Sequence, residues 1–208
     1  MTAVAPLVFI VDDDPSVRKS LTRLLASAGY AVEAFASARE FLVRERHAGP
    51  CCLVLDVRMP GLTGLDLQDA LAAAGRRMSI VFVTGHADVP MSVKALKGGA
   101  VDLLTKPVDA KDLLKAIQRA VAKDVQDLAD ETRIAEIQER IKMLTAREIE
   151  VFALVVTGML NKQVAFELGI SEKTVKVHRA RVMEKMRAGS VAELVRLADR
   201  AGVIVPKP

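Results

Sequence analysis

Leu53-Val54-Leu55-Asp56-Val57-Arg58-Met59-Pro60-Gly61 is the stretch on which the reading of this chain turns. An apolar run rich in strand formers ends on a carboxylate, and Pro60-Gly61 turns the chain directly afterwards. The run therefore reads as a buried strand that delivers Asp56 to a sheet edge. In open parallel α/β sheets the helical connections leave a crevice outside the carboxyl ends of the strands, and chemistry collects there. Asp56 is thus the candidate reacting group.

Working outward, runs at 7–11, 31–35, 52–56, 80–84 and 101–105 have strand character. Each is followed by a segment of helical period, at about 16–28, 38–46, 62–74, 89–96 and 110–121. Five such alternations predict a parallel sheet covered on both faces. If the first strand is central, Asp12 and Asp13 leave it at the same end as Asp56 leaves the third.

At 208 residues the chain is long enough for two domains, each with its own core. No stretch reads as a secretory signal or a membrane span, since the apolar run at 8–11 stops at Asp12-Asp13-Asp14. A soluble, cytoplasmic protein without membrane partners is the expectation. Cys51 and Cys52 are adjacent, lack metal-site or redox spacing, and read as buried small hydrophobes. Segments 1–123, 124–140 and 141–208 carry net charges of +3, −4 and +5, which make up the overall +4. The basic C-terminal segment is compatible with phosphate-bearing partners such as nucleic acid.

Segments 1–123 and 141–208 are the expected domains, and 124–140 a polar, acidic helical linker without Pro or Gly. Ile134, Ile137, Ile141 and Leu144 form a narrow apolar stripe within and just beyond it, expected to pack on one domain rather than to build a coiled coil. Thr145-Ala146-Arg147-Glu148 is a capping box that opens a helix ending at Gly158. Asn161 to Leu168 forms a second helix, Gly169-Ile170-Ser171 turns the chain, and a third runs from Glu172 to Met186. Ser190 with Glu193 forms another capping box and starts a fourth helix. Two helices joined by a tight Gly-containing turn are the sequence form of a helix-turn-helix.

Three acids in close company repel one another unless a cation neutralises them, and Mg²⁺ suits an all-oxygen set better than metals that seek His or Cys. Thr84 closes the fourth strand, and Lys106 closes the fifth ahead of Pro107. They place a hydroxyl donor and a cation where a transferred phosphoryl group needs its charge stabilised. Singly, Asp12, Asp13 and Asp56 are explained by helix capping or loop solvation. As a set they are not, because that reading leaves Thr84 and Lys106 without a reason.

Val11-Asp12-Asp13-Asp14, Leu55-Asp56-Val57-Arg58-Met59-Pro60-Gly61, Val83-Thr84-Gly85-His86 and Lys106-Pro107 stand in the order and at the spacing of a known family. Residues 5–123 resemble the receiver domain of two-component response regulators, and residues 141–204 resemble the LuxR-type helix-turn-helix. The chain is identified as a member of the FixJ/NarL family. The resemblance implies a flavodoxin- or CheY-like (βα)5 receiver followed by an all-α domain of four helices. It makes Asp56 the nucleophile that takes a phosphoryl group from a sensor histidine kinase. Asp13, the Asp56 carboxylate and the Arg58 backbone carbonyl would hold Mg²⁺, with Asp12 acting through water and Mn²⁺ as a substitute. Lys106 and Thr84 would bind phosphoryl oxygens, and the Lys106-Pro107 peptide would be cis. The resemblance also implies a homodimer on phosphorylation, double-stranded operator DNA and RNA polymerase as partners, and activation of transcription. Leu103 departs from the family, which usually has a switch aromatic there. Arg58 and His86 stand where relatives tune water access to the phosphate.

In the C-terminal region Leu144 to Glu148, Asn161 to Ala165, and Ser171 with Thr174 to His178 match the family. A recognition helix enters the major groove with its N-terminal half. By resemblance, Lys176, Val177 and Ala180 face bases, whereas Lys162, Thr174, His178, Arg179 and Arg181 contact phosphates. Ala180 offers at most a thymine-methyl contact. The plain alternative, a solvated charged helix face, leaves the Gly169 turn and apolar Val164, Ile170, Val175 and Val182 unexplained.

Two rival functions make distinct demands. A DNA-binding protein whose receiver is a constitutive dimer or protein-binding module would ignore phosphodonors, and Leu103 is its support. An aspartate-nucleophile phosphatase would need a second Asp two residues after the nucleophile as general acid, where this chain has Arg58.

Overall fold

The computed structural model describes residues 6–85 and 88–203. His86 lies outside the described residues. Contacts divide the chain into two compact units, the first ending at Leu128 and the second beginning at Ala129. Among the described residues, no helix is long and apolar enough to cross a membrane.

In the first unit, β1 (Leu7–Val11), β2 (Ala31–Phe35), β3 (Cys51–Asp56), β4 (Ser79–Thr84) and β5 (Asp102–Thr105) form one parallel sheet in the order β2-β1-β3-β4-β5. The middle strand is β3 rather than β1, which lies between β2 and β3. The strand order reverses at β1 and β3, and such a switch point opens a crevice at the carboxyl ends. Asp12 and Asp13 therefore leave the sheet beside Asp56.

Strand side chains alternate between two cores. Phe9, Leu53, Leu55 and Phe82 pack with Phe41 of α2 (Ala38–Leu42), Leu67 of α3 (Gly64–Ala73) and Ala95 of α4 (Val89–Lys97). Val8, Ile10, Val54 and Val81 pack with Leu21 and Leu25 of α1 (Pro15–Ser27) and with Leu113 and Ile117 of α5 (Ala110–Lys142). Cys51 and Cys52 are free and buried, one in each core.

Some boundaries differ from those read in the sequence, each for a local reason. The second helix stops at Leu42, because Arg76 donates to the carbonyls of Leu42 and Arg44 that would have continued it. The third starts at Gly64, since Thr63 and Asp66 cap it reciprocally. The segment from residue 124 is helical, as its composition suggests, and continues the last helix of the first unit: α5 runs unbroken to Lys142. Asp124 is buried and accepts the Cys51 amide at 2.8 Å, so it belongs to the first unit. Ile137 and Leu144 are buried in the core of the second unit, with Ile141 packed against it.

The second unit adds α6 (Ala146–Val156), α7 (Asn161–Leu168), α8 (Glu172–Met186) and α9 (Val191–Arg200). Thr145 and Glu148 form the full capping box. At α9 the box is incomplete: Ser190 accepts from the Glu193 amide, but the Glu193 carboxylate reaches the Gly189 amide. Gly169 closes α7 at φ 63°, a left-handed conformation that glycine adopts without a Cβ penalty.

Candidate functional site

The pocket lies at the carboxyl ends of β1, β3, β4 and β5. Asp12, Asp13 and Asp56 each bring a carboxylate oxygen within 4.8 Å of the others. Asp12 and Asp56 are buried, whereas Asp13 is exposed. Lys106 arrives just past β5, its amide donating to the Thr84 carbonyl at 2.8 Å, and the Lys106-Pro107 peptide is cis. Its Nζ donates to Asp12 Oδ2 at 2.7 Å and to Asp56 Oδ2 at 2.6 Å.

The remaining oxygens of the two buried acids are oriented by backbone. Asp12 Oδ1 accepts from the Asp14 amide at 2.9 Å, and Asp56 Oδ1 accepts from the Arg58 amide at 3.1 Å. Asp14 in turn caps α1 by accepting from Ser16 N. Thr84, fully buried, ends β4 one residue beyond Val83, the register partner of Asp56. Arg58 is exposed. Leu103 is half-buried on β5 and packs on the core that contains Phe82.

Burial raises the Asp12 carboxyl above the usual carboxylate range, and the Lys106 hydrogen bond offsets only part of that. Burial alone would lower the Lys106 ammonium, but the hydrogen bonds and charges of Asp12 and Asp56 outweigh it and hold the lysine above its usual range. The pocket thus keeps one firm cation yet remains richer in negative charge than that cation balances. Among the described residues the cluster offers carboxylate oxygens with surplus negative charge and no His or Cys, a donor set that fits a hard divalent ion.

Two contributors were not singled out from the sequence. A Cβ on Gly64 would stand 2.2 Å from the Asp56 carbonyl oxygen, so α3 can approach the acid only through a glycine. The signal was available in Thr63-Gly64-Leu65-Asp66, a capping pattern just after the Pro60-Gly61 turn. Arg18 of α1 donates from Nη1 to the carbonyls of Asp12 and Asp13, at 2.7 and 2.9 Å. Nothing in the local sequence marks that contact.

In the second unit Val164, Val175 and Val182 are buried and Ile170 packs against them, which fixes α7 on α8. Lys176, Val177, Ala180 and Arg181 are exposed on α8, and Lys162 is exposed on α7. Thr174 is half-buried, its amide bonded to Ser171 Oγ at 3.1 Å in the N-cap of α8. His178 is half-buried, with Nδ1 enclosed and without a hydrogen-bond partner among the described residues. Arg179 is half-buried and gives one arm to Asn161 Oδ1 at 2.8 Å, so it braces α8 on α7 and only its remaining donors are left for a phosphate. The structure therefore groups Lys176, Val177, Ala180 and Arg181 on the open surface of α8, and holds Thr174, His178 and Arg179 closer to the protein.

Residues 8–118 match the family model described as response regulator receiver domain. Residues 142–198 match that of bacterial regulatory proteins, luxR family. Nodulation protein W of Bradyrhizobium diazoefficiens is 48% identical over 197 residues, which cover 95% of this chain and 87% of that one. Among solved structures, the response regulator StyR is 44% identical, with a TM-score of 0.79 over 95% of this chain and 100% of that chain. Full-length FixJ from B. japonicum is 40% identical, with a TM-score of 0.57 over 98% of this chain and 100% of that chain.

Proposed function

The chain belongs to the two-component response regulators of the FixJ/NarL type, regulators rather than turnover enzymes, and on that premise we propose that its output is switched by phosphorylation of Asp56. The receiver implies a kinase partner and the LuxR-type domain implies DNA. Asp56 accepts a phosphoryl group from a phosphohistidine of a sensor kinase, the protein dimerises, and the dimer binds a paired operator and contacts RNA polymerase to activate transcription. The observation that carries this reading is the position of Lys106, whose one ammonium contacts both Asp12 and Asp56.

An Asp56 oxygen attacks phosphorus; the O–P bond forms as the P–N bond of the phosphohistidine breaks, and the imidazole leaves with the bonding pair. Lys106, held charged by its two carboxylate partners, exchanges Asp56 for a phosphoryl oxygen, and Thr84 supplies a hydroxyl donor beside it. Asp13, Asp56 and the Arg58 carbonyl would hold Mg²⁺, or Mn²⁺ in its place, with Asp12 acting through water. When bound, the ion supplies charge neutralisation between the incoming phosphoryl group and the acids. Pairing two weak half-site readers raises operator affinity through effective concentration without new base contacts.

Sedimentation of the full chain with Mg²⁺, with and without beryllofluoride, tests the reading. A monomer-to-dimer shift that Asp56→Asn abolishes is expected. No shift, together with operator binding that ignores phosphodonors, would overturn it in favour of a constitutive regulator.

A further inference from the structure

The Arg18 contact has no structural duty that other groups leave undone. The first turn of α1 is already started by Pro15 and capped by Asp14. β1 has finished its pairing where Val11 meets Phe35 and Leu55. Beyond the Asp12 amide, which still donates to the Phe35 carbonyl at 3.3 Å, the chain leaves the sheet. From there the direction of each acid depends on its own backbone dihedrals.

Asp12 is held by its side chain, through Lys106 and the Asp14 amide. Asp13 is not. It is exposed, and its carboxylate makes no hydrogen bond among the described residues. Its backbone is held by the Arg18 Nη1, which donates to the Asp12 and Asp13 carbonyls, together with the Asp14 amide, which ties the Asp13–Asp14 peptide plane to Asp12 Oδ1. Two consecutive peptide planes tied to one planar, always-charged group cannot rotate independently. The Cβ directions of both acids follow from those planes.

We infer that Arg18 is a positioning residue for phosphoryl acceptance: by clamping the Asp12 and Asp13 carbonyls it aims the Asp13 carboxylate into the pocket and pre-orients the acids for their divalent cation. This rests on the reading of Asp56 as a cation-assisted phosphoryl acceptor. Groups that orient metal-binding side chains without touching the ion typically change affinity by about 10- to 100-fold when removed. The effect of Arg18 falls on cation binding, not on the displacement itself.

The test compares wild type, Arg18→Ala and Arg18→Lys in the full chain. Mg²⁺ affinity is measured by calorimetry on unphosphorylated protein, the phosphorylation rate with acetyl phosphate is followed against Mg²⁺ concentration, and Tm is taken without Mg²⁺. Arg18→Ala is expected to weaken Mg²⁺ binding about tenfold and to raise the half-saturating Mg²⁺ concentration equally, the lost orientation outweighing the removal of a positive charge that is engaged with carbonyls rather than with the carboxylates. The maximal rate at saturating Mg²⁺ should stay within about twofold of wild type. Arg18→Lys, which keeps charge and donors on a flexible stem, should recover part of the affinity. Unchanged Mg²⁺ affinity in Arg18→Ala, or a loss confined to Tm, would overturn the inference and leave Arg18 as a loop support. A wild-type protein that neither bound Mg²⁺ nor took a phosphoryl group would instead overturn the reading beneath it.

Discussion

Lys106 Nζ stands 2.6 Å from Asp56 Oδ2, so the ammonium already occupies an oxygen of the acid proposed as the phosphoryl acceptor. On the proposed reading it is both the partner of an incoming phosphoryl oxygen and a competitor for any cation that seeks the same carboxylate. These two roles predict opposite effects of removing it. Lys106→Met should bind Mg²⁺ more tightly, by about tenfold, because a unit positive charge a few ångströms away is gone. Its phosphoryl acceptance should fall by about 10²-fold, since a preorganised cation is missing where negative charge gathers. Calorimetry with Mg²⁺ and rates with acetyl phosphate separate the two, and a parallel change in both would show that Lys106 does not compete for the cation.

Gly64 is the tightest approach to the site. An added Cβ would meet the Asp56 carbonyl oxygen at 2.2 Å, which is backbone and cannot swing aside. Gly64→Ala should therefore shift the start of α3 or the end of β3, costing about 1–3 kcal/mol, and should slow phosphoryl acceptance while leaving the basal DNA binding of the unphosphorylated protein intact. Urea titration and the acetyl phosphate rate check both halves. A variant of wild-type stability and rate would mean that α3 slides without disturbing Asp56.

What the sequence made legible was whatever it encodes locally. Asp12, Asp13, Asp56, Thr84 and Lys106 each sit at the end of an apolar strand, and a parallel sheet necessarily brings strand ends to one side. Thr145 with Glu148 and the Gly169 turn are similarly self-contained signals. The misreadings lie where distant groups intervene. Arg76 ends the second helix from thirty-odd residues away by taking the carbonyls of Leu42 and Arg44. Asp124 reads as a polar linker residue until its carboxylate is seen on the Cys51 amide across the unit. Ser190-Glu193 is a local exception: it has the pattern of a reciprocal cap, yet the Glu193 carboxylate takes the amide of the neighbouring Gly189. Pattern fixes what a segment prefers, whereas side chains from elsewhere decide where it stops.

Burial pushes the Cys51 thiol up to about 12, with the Asp124 charge adding to the effect, and lifts Cys52 further for the same main reason. The thiolate is the reactive form, so neither residue should react while the first unit is folded. Iodoacetamide at mild alkaline pH should leave both unmodified in native protein and label both in guanidinium chloride, as read by intact mass. Rapid labelling of native protein would show that the start of β3 opens.

Glu148 ties α6 to α8. It is buried, caps α6 through the Thr145 amide at 2.9 Å, and accepts from Lys185 Nζ at 2.6 Å. The Lys185 hydrogen bond, then the Thr145 amide, lower its carboxyl from 4.5 to about 2. A depressed folded pKa stabilises above the unfolded value and is lost as pH falls through the folded one. The second unit should therefore lose stability between about pH 4.5 and 2. Glu148→Gln should cost about 2 kcal/mol at neutral pH by weakening charged hydrogen bonds and should flatten that acid limb. Hydrogen exchange of α6 and α8 against pH reads the effect within the full chain, and an unchanged acid limb in Glu148→Gln would assign the loss to other carboxylates.

The base and phosphate contacts proposed for the exposed surface of α8 can be separated by salt and by sequence. Lys176 and Val177 lie on the open surface near the N-terminal half of the helix, the part that reads bases in this arrangement. Lys176→Ala should cost about 1–3 kcal/mol on the best operator and relax preference at one base pair. Arg181, also exposed, is the better candidate for a phosphate: Arg181→Ala should weaken all sequences alike and reduce the salt slope of log K by about 1. Arg179 differs from both, because one arm is held by Asn161. Asn161→Ala frees that arm but loosens α7 on α8, so it should weaken operator binding with little change in salt slope. Fluorescence anisotropy with operator and scrambled duplexes across a salt series measures all three. An Arg179→Ala variant that lowered the slope as much as Arg181→Ala, while Asn161→Ala changed nothing, would show that the Asn161 contact is released on DNA and that Arg179 serves as a full phosphate ligand.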